Sequence, residues 1–481
     1  MAIGVAPDTL DPAAQTATPV AQIVDMTVER LVTLDAQNAV RPLLATRWRE
    51  SSDRRTWTFW LRSGVRFQDG EPLTATAVRD SFHRLLDPAT PGAQPGGLRV
   101  VSRVTAAGSE VRFTLRRPFT PFLRALTSPH AGILAPRSLA LAANDGGRLL
   151  TPIGTGPYRL TGRGADYVSL RRSDSYWGAT PPYARQIFRV VPQDAEREAL
   201  LRDGQVDVAL DPPPADLQDL STTGGDQLLA VPSDRMLAIA IDTQDSRQPQ
   251  LQDPTVRQAL SHAVDTAGIV RTLLAGSAVA AVSPLAPTTF GFCSTGAYTY
   301  DPALAQSMLE QAGAGGMRLT LATPVGRDAA DLSVAQAVAG ALDAVGLQVT
   351  VAAEPSWPDY LRRLATSGPS TPDLALLGWA PSSVDGVEAL APFQTAGRPP
   401  HGLGFSRFDD PAADELITQA SSANDAAVRE QALCQASREV WQGAPAIFLY
   451  SPDQTVVASR AVSGLTVLPA DGLVTTWAAP S

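Results

Sequence analysis

Residues 42–82 read PLLATRWRESSDRRTWTFWLRSGVRFQDGEPLTATAVRDSF and combine a strand, a tight turn and a helix in one segment. Apolar side chains recur at every second position from Trp57 to Leu61, which predicts a strand. The pair Asp69-Gly70 predicts the turn, because glycine takes positive φ without steric cost. Thr74 is suited to cap the helix that follows, where apolar residues recur at helical spacing. This order of elements is distinctive enough to anchor the interpretation of the rest of the chain.

Length and charge narrow the class of protein. A chain of 481 residues with 44% hydrophobic and 18% charged residues predicts two or three globular domains. The formal net charge of −9 disfavours nucleic acid as a partner, because binding phosphates requires clustered cations. All 39 cationic side chains are arginine. No apolar run approaches the ~20 residues that span a bilayer.

Strands and helices alternate in the second half of the chain. Helix start signals occur at Asp253-Pro254 and Asp301-Pro302, where aspartate caps and proline occupies the first turn. Short loops then connect strands 318–322, 348–352 and 374–377 with helices 331–345 and 358–365. This pattern predicts parallel β-α-β units with right-handed crossovers. Two apolar strands, 237–241 and 446–450, bracket the region and are suited to the core of a sheet.

Sequence signatures of catalysis are absent. The chain contains no GxSxG, Walker A, HExxH or dinucleotide-binding motif, and its four histidines are scattered. The acidic pairs Asp409-Asp410 and Asp414-Glu415 begin an amphipathic helix, where carboxylates favour the positive end of the helix dipole. We therefore expect no enzyme activity, no cofactor and no metal site. His401, in a Pro/Gly loop, is the histidine best placed to reach a ligand.

Several motifs together resemble one family. The strand–turn–helix segment, GTGPY at 154–158, TLDP at 9–12 and DPTVRQAL at 253–260 are similar to the extracytoplasmic solute-binding proteins of ABC importers, family 5, the peptide/nickel/oligosaccharide-binding class. The resemblance covers nearly the whole chain. It implies an α/β fold of the periplasmic-binding-protein-like type (type II, cluster C), with two lobes, a hinge and an extra subdomain.

The resemblance also implies how the chain is divided and where it works. The expected segments are 1–44 of lobe I, 45–150 as its extra subdomain, 151–245 of lobe I, 246–449 as lobe II, and 450–481 returning to lobe I. The expected partners are a small-molecule or peptide ligand and an ABC permease, with no nucleic acid, for a monomer outside the cytoplasm. A signal segment would have been removed and a lipid anchor would lie upstream, although an intracellular protein would begin in the same way.

The resemblance places the ligand in a cleft between the lobes, which close by hinge bending. It also implies that strands 237–241 and 446–450 carry the chain between the lobes as the hinge, with ordinary core strands as the alternative. The loop after strand 374–377 matches the segment that receives the ligand in peptide-binding members, and each aromatic or charged candidate has a packing role as its alternative. The candidate ligand-binding residues are Trp357, Arg363, Trp379, Ala380, Pro381, Ser382, Ser383, Asp385, His401 and Tyr450.

One position departs from the family pattern. Peptide-binding members place an aspartate in this loop to pair with the ligand's ammonium group, and the aligned residue here is Ser382. A buried ammonium without a carboxylate is strongly disfavoured. Either Asp385 or Glu388 takes over, or the ligand has no free amine. An oligopeptide remains the expected ligand, an oligosaccharide or another amine-free solute is the alternative, and a regulatory scaffold without transport function is the alternative of another class.

The chain has two cysteines, Cys293 and Cys434, outside any zinc-binding pattern. An exported protein can join them in a disulfide. Two separate buried thiols are the other possibility, because Cys434 lies within a helical pattern.

Overall fold

The computed structural model describes the chain except residues 8, 16–17, 36–38, 94–95, 145, 147–148, 150, 218–225, 367, 369–370, 382, 400–401, 403 and 470–471. The described residues form two compact units. The first unit comprises Met1–Val191, Ala199–Leu210 and Ala458–Ser481, and the second comprises Pro192–Glu198 and Asp211–Val457. The five-segment assignment of lobes made from the sequence stays a prediction.

The helices begin and end as follows: α1 Thr18–Thr27, α2 Ala75–Leu86, α3 Phe122–Ala125, α4 Pro136–Asn144, α5 Asp194–Arg202, α6 Pro254–Ala263, α7 Thr266–Leu273, α8 Pro302–Gln311, α9 Asp331–Ala344, α10 Trp357–Ala365, α11 Gly386–Ala389, α12 Pro411–Ser422 and α13 Ala426–Gly443. Short 3-10 helices lie at Gly96–Val100, Pro129–Ala131, Pro214–Asp216, Pro249–Gln252, Ala391–Phe393 and Thr395–Gly397.

The strands begin and end as follows: β1 Ala2–Ile3, β2 Val32–Leu34, β3 Val40–Pro42, β4 Ala45–Glu50, β5 Thr56–Leu61, β6 Val101–Ala107, β7 Glu110–Leu115, β8 Tyr158–Arg163, β9 Tyr167–Arg172, β10 Arg185–Val190, β11 Val208–Leu210, β12 Asp226–Pro232, β13 Met236–Ile241, β14 Ala278–Ala280, β15 Arg318–Pro324, β16 Gln348–Glu354, β17 Leu374–Trp379, β18 Ala446–Ser459, β19 Val462–Ser463, β20 Thr466–Leu468, β21 Gly472–Val474 and β22 Ala479–Pro480.

The first unit contains the strand–turn–helix segment at residues 42–82. Strand β5 pairs with β4 and β7 in an antiparallel sheet ordered β4-β5-β7-β6. Gly70 has φ +90° in the predicted turn. The Thr74 hydroxyl accepts a hydrogen bond from the Ala77 N–H at 3.1 Å and caps α2. Phe82 of α2 packs edge-to-face on Phe113 at 4.8 Å between ring centroids. The predicted strand, turn and capped helix are all confirmed.

A second sheet of the first unit runs in the order β11-β1-β10-β9-β8. Strand β1 is parallel to β10 and β11, whereas β10, β9 and β8 form an antiparallel meander. One face of this meander is buried through side chains such as Tyr158, Leu170 and Phe188.

The second unit holds the alternating α/β region. Its sheet runs in the order β16-β15-β17-β13-β18. Strand β15 is parallel to β16 and β17, which confirms the predicted β-α-β units. Strand β13 is antiparallel to both β17 and β18. The strand predicted at 446–450 is longer than expected and continues without a break to Ser459 as β18.

The core of the second unit lies between this sheet and its helices. Buried side chains from strands and helices form one cluster, with Ile239, Leu260, Val338, Leu376 and Leu449 each at 0% exposure. Leu260 and Val338 lie on α6 and α9, so these helices pack their apolar faces inward. This core fixes the strand ends from which the loops of the candidate site emerge.

A disulfide joins Cys293 to Cys434 across 141 residues of sequence. It connects the loop after Phe290 to helix α13. Among the described residues, no helix combines the length and apolar character needed to cross a bilayer.

Candidate functional site

The loop predicted to receive the ligand follows strand β17, which ends at Trp379. Pro381 and Ser383 are buried and Ala380 is partly buried. Val384 has φ +54°, and the chain then enters the short helix α11. Ser382, the position that departs from the family pattern, lies outside the described residues, as does His401. The loop is therefore built mostly from enclosed residues.

Asp385 anchors the end of this loop. Its two carboxylate oxygens accept hydrogen bonds from Nη2 of Arg429 at 2.9 and 2.7 Å, and Oδ1 also accepts from the Val387 N–H. Asp385 is 1% exposed and Arg429 is 7% exposed. The Arg429 guanidinium also lies 4.6 Å from the ring centroid of Phe290. Asp385 is thus held by a buried cation from α13, and its predicted contact with a ligand stays a prediction.

Two backbone hydrogen bonds tie Phe290 to the same loop. The Phe290 N–H donates to the Val384 carbonyl, and the Gly386 N–H donates to the Phe290 carbonyl. Cys293, three residues later, is bonded to Cys434 on α13. Helix α13 therefore supports the site loop directly through Arg429, and indirectly through the disulfide to the segment that follows Phe290.

Ser383 and Glu388 bond each other within the loop. Oε2 of Glu388 accepts from the Ser383 N–H at 2.9 Å and from the Ser383 hydroxyl. This pairing spans the turn that leads into α11. The prediction that Glu388 replaces the missing aspartate is not tested by this geometry and stays a prediction.

Trp379 is partly buried at the end of β17. Its indole Nε1–H donates to the Ala389 carbonyl at 3.0 Å. The ring meets Phe393 and Phe448 edge-to-face, at 5.5 and 6.5 Å between centroids. These contacts fix the orientation of the indole plane and leave part of the ring uncovered.

A second loop, after strand β15, brings charged side chains to the same end of the sheet. Arg327 places its guanidinium 4.0 Å from the ring centroid of Trp357. Nη1 of Arg235 lies 3.3 Å from Oδ1 of Asp328, and both side chains are 9% exposed. Oδ2 of Asp328 is buried and has no hydrogen-bond partner among the described residues. The loop thus offers charges of both signs beside an aromatic ring.

Gly378 explains how the two loops approach each other. A Cβ built at this position would lie 3.2 Å from Nη1 of Arg235 and from both carboxylate oxygens of Asp328. Any side chain here would push against the ion pair. The Arg235–Asp328 pair thus rests directly on the backbone of β17, and a side chain at position 378 would require this pair to shift by a few tenths of an ångström.

Tyr450 lies on strand β18 and is 1% exposed. Burial raises the pKa of its hydroxyl well above the ordinary value, and the charges of Asp328 and Asp331 raise it further. The hydroxyl has no hydrogen-bond partner among the described residues. Burial, together with the charge of Asp328, likewise raises the pKa of Asp331 to about 7.

Helix α10 carries the remaining predicted residues. Trp357 is 8% exposed and stacks on Tyr360 at 5.6 Å between centroids. The Tyr360 hydroxyl donates to the Leu376 carbonyl at 2.7 Å. Arg363 is partly exposed on the same helix. Trp357 therefore belongs to the packing between α10 and the sheet while its ring also faces Arg327.

Sequence reasoning missed Arg235, Arg327, Asp328 and Asp331. The available signal was their position: Arg327 and Asp328 follow β15, and ligands of parallel α/β sheets bind beyond the carboxyl ends of the strands. Within the described part of the chain, no group of three His, Cys, Asp or Glu residues is arranged to hold a metal ion.

A family model described as bacterial extracellular solute-binding proteins, family 5 Middle, matches residues 39–400. The chain belongs to this family. Family 5 proteins work outside the cytoplasm as the solute-binding components of ABC importers, together with a membrane permease.

Individual relatives of this family 5 protein extend the match. The glutathione-binding protein GsiB of Escherichia coli K12 is 27% identical over 481 residues, which is 98% of this chain and 92% of GsiB. The DppA protein of Helicobacter pylori, solved with the peptide STSA, superimposes with a TM-score of 0.90 at 23% identity over 100% of this chain and 97% of DppA. A dipeptide-binding protein of Pseudoalteromonas sp. SM9913, solved with Met-Leu, gives 0.91 at 23% identity over 100% of both chains. The two structures establish the fold.

Proposed function

We propose that this family 5 protein captures a short peptide between its lobes, closes over it by hinge bending, and passes it to an ABC permease without chemical change. The proposal includes a monomeric protein that binds no nucleic acid and is lipid-anchored in its native precursor. The ligand-contacting set is the one predicted from the sequence, extended by the charged loop after β15.

The observation that carries the proposal is the pairing of charges in that loop. A peptide presents an ammonium group and a carboxylate, and its recognition requires fixed charges of opposite sign. Arg327 is oriented by the Trp357 ring, and one buried carboxylate oxygen of Asp328 has no hydrogen-bond partner in the part of the chain that the structure describes. An unsatisfied buried acceptor is unfavourable by about 1–3 kcal/mol, so a ligand donor or a water at this position would stabilise the site. The two peptide complexes among the solved neighbours also support a peptide ligand.

An amine-free solute such as an oligosaccharide is the second candidate. Ser382 carries no charge, and both oxygens of Asp385 already accept hydrogen bonds from Arg429. If Asp328 is fully neutralised by Arg235, Glu388 is the remaining candidate carboxylate of the loop, and its Oε2 already accepts two hydrogen bonds from Ser383. The scaffold alternative predicts no ligand at all.

A matched set of ligands separates these candidates. We would measure the thermal stability of the purified protein with a dipeptide, its N-acetyl form, its C-terminal amide and a trisaccharide. A true ligand at a hundredfold excess over its Kd stabilises by about 2.7 kcal/mol. Among the three peptide forms, the dipeptide is expected to stabilise most and the N-acetyl form least, and the trisaccharide is expected not to stabilise. Stabilisation by the trisaccharide alone would establish the second candidate, and no stabilisation in a broad library would support the scaffold.

A variant tests the role proposed for Asp328 in binding the ammonium group of the ligand. Asp328→Asn is nearly isosteric and removes the carboxylate charge. We expect it to bind the N-acetyl dipeptide as well as the free dipeptide, whereas wild type prefers the free amine. Asp203→Asn, at an exposed position, is the control for loss of one negative charge. An unchanged preference in Asp328→Asn would remove Asp328 from the binding set. Urea unfolding of the free variants checks that both are folded.

A further inference from the structure

Strands β8, β9 and β10 of the first unit place three arginines in one row. Arg159 on β8 lies directly opposite Arg171 on β9, and Arg171 lies directly opposite Arg185 on β10. Directly opposed side chains in an antiparallel sheet have Cβ atoms about 5 Å apart. The row therefore concentrates three positive charges on adjacent strands.

The same face of the meander carries more exposed side chains. Arg189 lies opposite Tyr167, and Ile187 lies opposite Ser169. Tyr167 is 41% exposed and Ile187 is 46% exposed. The arginines 159, 171, 185 and 189 are exposed as well. We call these six residues (Arg159, Tyr167, Arg171, Arg185, Ile187 and Arg189) the arginine face.

The arginine face is unfavourable for the isolated protein. Like charges directly opposite each other destabilise a sheet. Within the described part of the chain, none of the four arginines takes part in a salt bridge, and the neighbouring acids Asp166 and Asp174 lie beyond the ends of β9. The whole chain carries a net charge of −9, so the local charge of the arginine face is opposite in sign to the net charge of the protein. Such an arrangement is stabilised when an anionic partner neutralises it.

We propose that the arginine face docks on an anionic phospholipid surface, a function beyond capture of the transported solute. The arginine face lies on the paired strands β8, β9 and β10, so the backbone positions of its arginines are fixed by the sheet. Guanidinium groups pair with phosphates through two hydrogen bonds. Exposed Tyr167 and Ile187 among the arginines match the mixture of aromatic, aliphatic and cationic side chains found at membrane interfaces. The family works beside a membrane permease, so a lipid surface is close at hand.

Vesicle binding tests the proposal with the full chain. The probe is vesicles of phosphatidylglycerol and phosphatidylcholine in equal parts, compared with pure phosphatidylcholine. Each arginine near an anionic surface contributes about a fivefold increase in binding. The triple variant Arg159→Gln, Arg171→Gln, Arg185→Gln should therefore bind the anionic vesicles about a hundredfold more weakly than wild type. Binding of wild type should also fall steeply as ionic strength rises to about 0.5 M, where screening is strong.

A matched control removes the same charge elsewhere. The triple variant Arg137→Gln, Arg438→Gln, Arg460→Gln changes three exposed arginines outside the arginine face and should bind within about twofold of wild type. Melting curves verify that both triple variants fold. Equal weakening of both variants, equal binding to pure phosphatidylcholine, or no vesicle binding by wild type would each overturn the proposal. Binding to polyglutamate without binding to vesicles would also overturn it, in favour of an acidic protein partner. These outcomes are independent of whether the cleft binds a peptide.

Discussion

Single residues decide the stability of the candidate site, and the Asp385–Arg429 pair is the clearest case. Removing one partner of a buried ion pair leaves the other charge uncompensated, at a cost of about 3–5 kcal/mol. We expect Arg429→Met to lower the free energy of unfolding by about that amount in urea denaturation. Arg438→Met, at an exposed position of the same helix, should change it by less than about 0.5 kcal/mol. Similar small effects for both variants would show that Asp385 does not depend on Arg429.

Asp331 makes the stability of the second unit depend on pH. Burial and the charge of Asp328 raise its pKa from 3.8 to about 7. The folded protein therefore holds this proton more tightly than the unfolded chain. The contribution of Asp331 to the free energy of unfolding is therefore fully present below about pH 4 and is lost as the pH rises through about 7.

Replacing this carboxyl group tests that pH dependence. Asp331→Asn stays neutral, so it should lose less stability than wild type between pH 4.5 and pH 8, with a difference of about 2–4 kcal/mol. Urea unfolding at both pH values measures it. Asp203→Asn, an exposed acid, should follow the wild-type profile. The idea fails if the Asp331→Asn and wild-type profiles remain parallel.

Among the elements, helix α13 is joined by the Cys293–Cys434 disulfide to the segment after Phe290, and Phe290 itself is hydrogen-bonded to the site loop. A bond that closes so long a loop restricts the unfolded chain, and removal of such bonds typically costs about 2–5 kcal/mol. The free energy of unfolding of the double variant Cys293→Ala, Cys434→Ala should therefore be lower by about 2–5 kcal/mol, and the variant should unfold at a lower urea concentration. Reduced wild-type protein should behave like the double variant. Identical unfolding of oxidised wild type and the double variant would mean that the bond does not stabilise the fold.

The β8-β9-β10 meander contains a side chain, Arg171, whose replacement should stabilise the folded protein. Arg171 has an arginine on each side, so Arg171→Gln removes two repulsive contacts and should stabilise the protein by about 0.5–1 kcal/mol at low ionic strength. Arg112 is the matched control, because it is an exposed arginine flanked by Thr58 and Thr105 on the neighbouring strands. Arg112→Gln should be nearly neutral. A destabilised Arg171→Gln variant would contradict the assigned repulsion.

Across the whole molecule, the features that the sequence predicted are local ones. The Thr74 cap and the Asp253 and Asp301 caps were readable because each hydrogen bond spans two or three residues. The alternating β-α order likewise predicted the parallel strands. The resemblance to a family supplied the two-lobed class of fold.

The contacts of the candidate site could not be predicted from the sequence, because they join distant parts of the chain. Arg235 and Asp328 are 93 residues apart, and Asp385 and Arg429 are 44 apart. No periodicity or motif encodes such pairs. The same applies to the arginine face, whose row appears only when the strand register is known.

The guanidinium group adds a consequence for how the molecule behaves in its surroundings. Arginine keeps its proton at every pH at which proteins stay folded. The carboxylates of this chain lose their charge in acid, whereas the row formed by Arg159, Arg171 and Arg185 keeps its own. Acidification would therefore strengthen the attraction between a negatively charged surface and that side of the molecule. A high salt concentration would screen this attraction and allow the protein to dissociate from the surface.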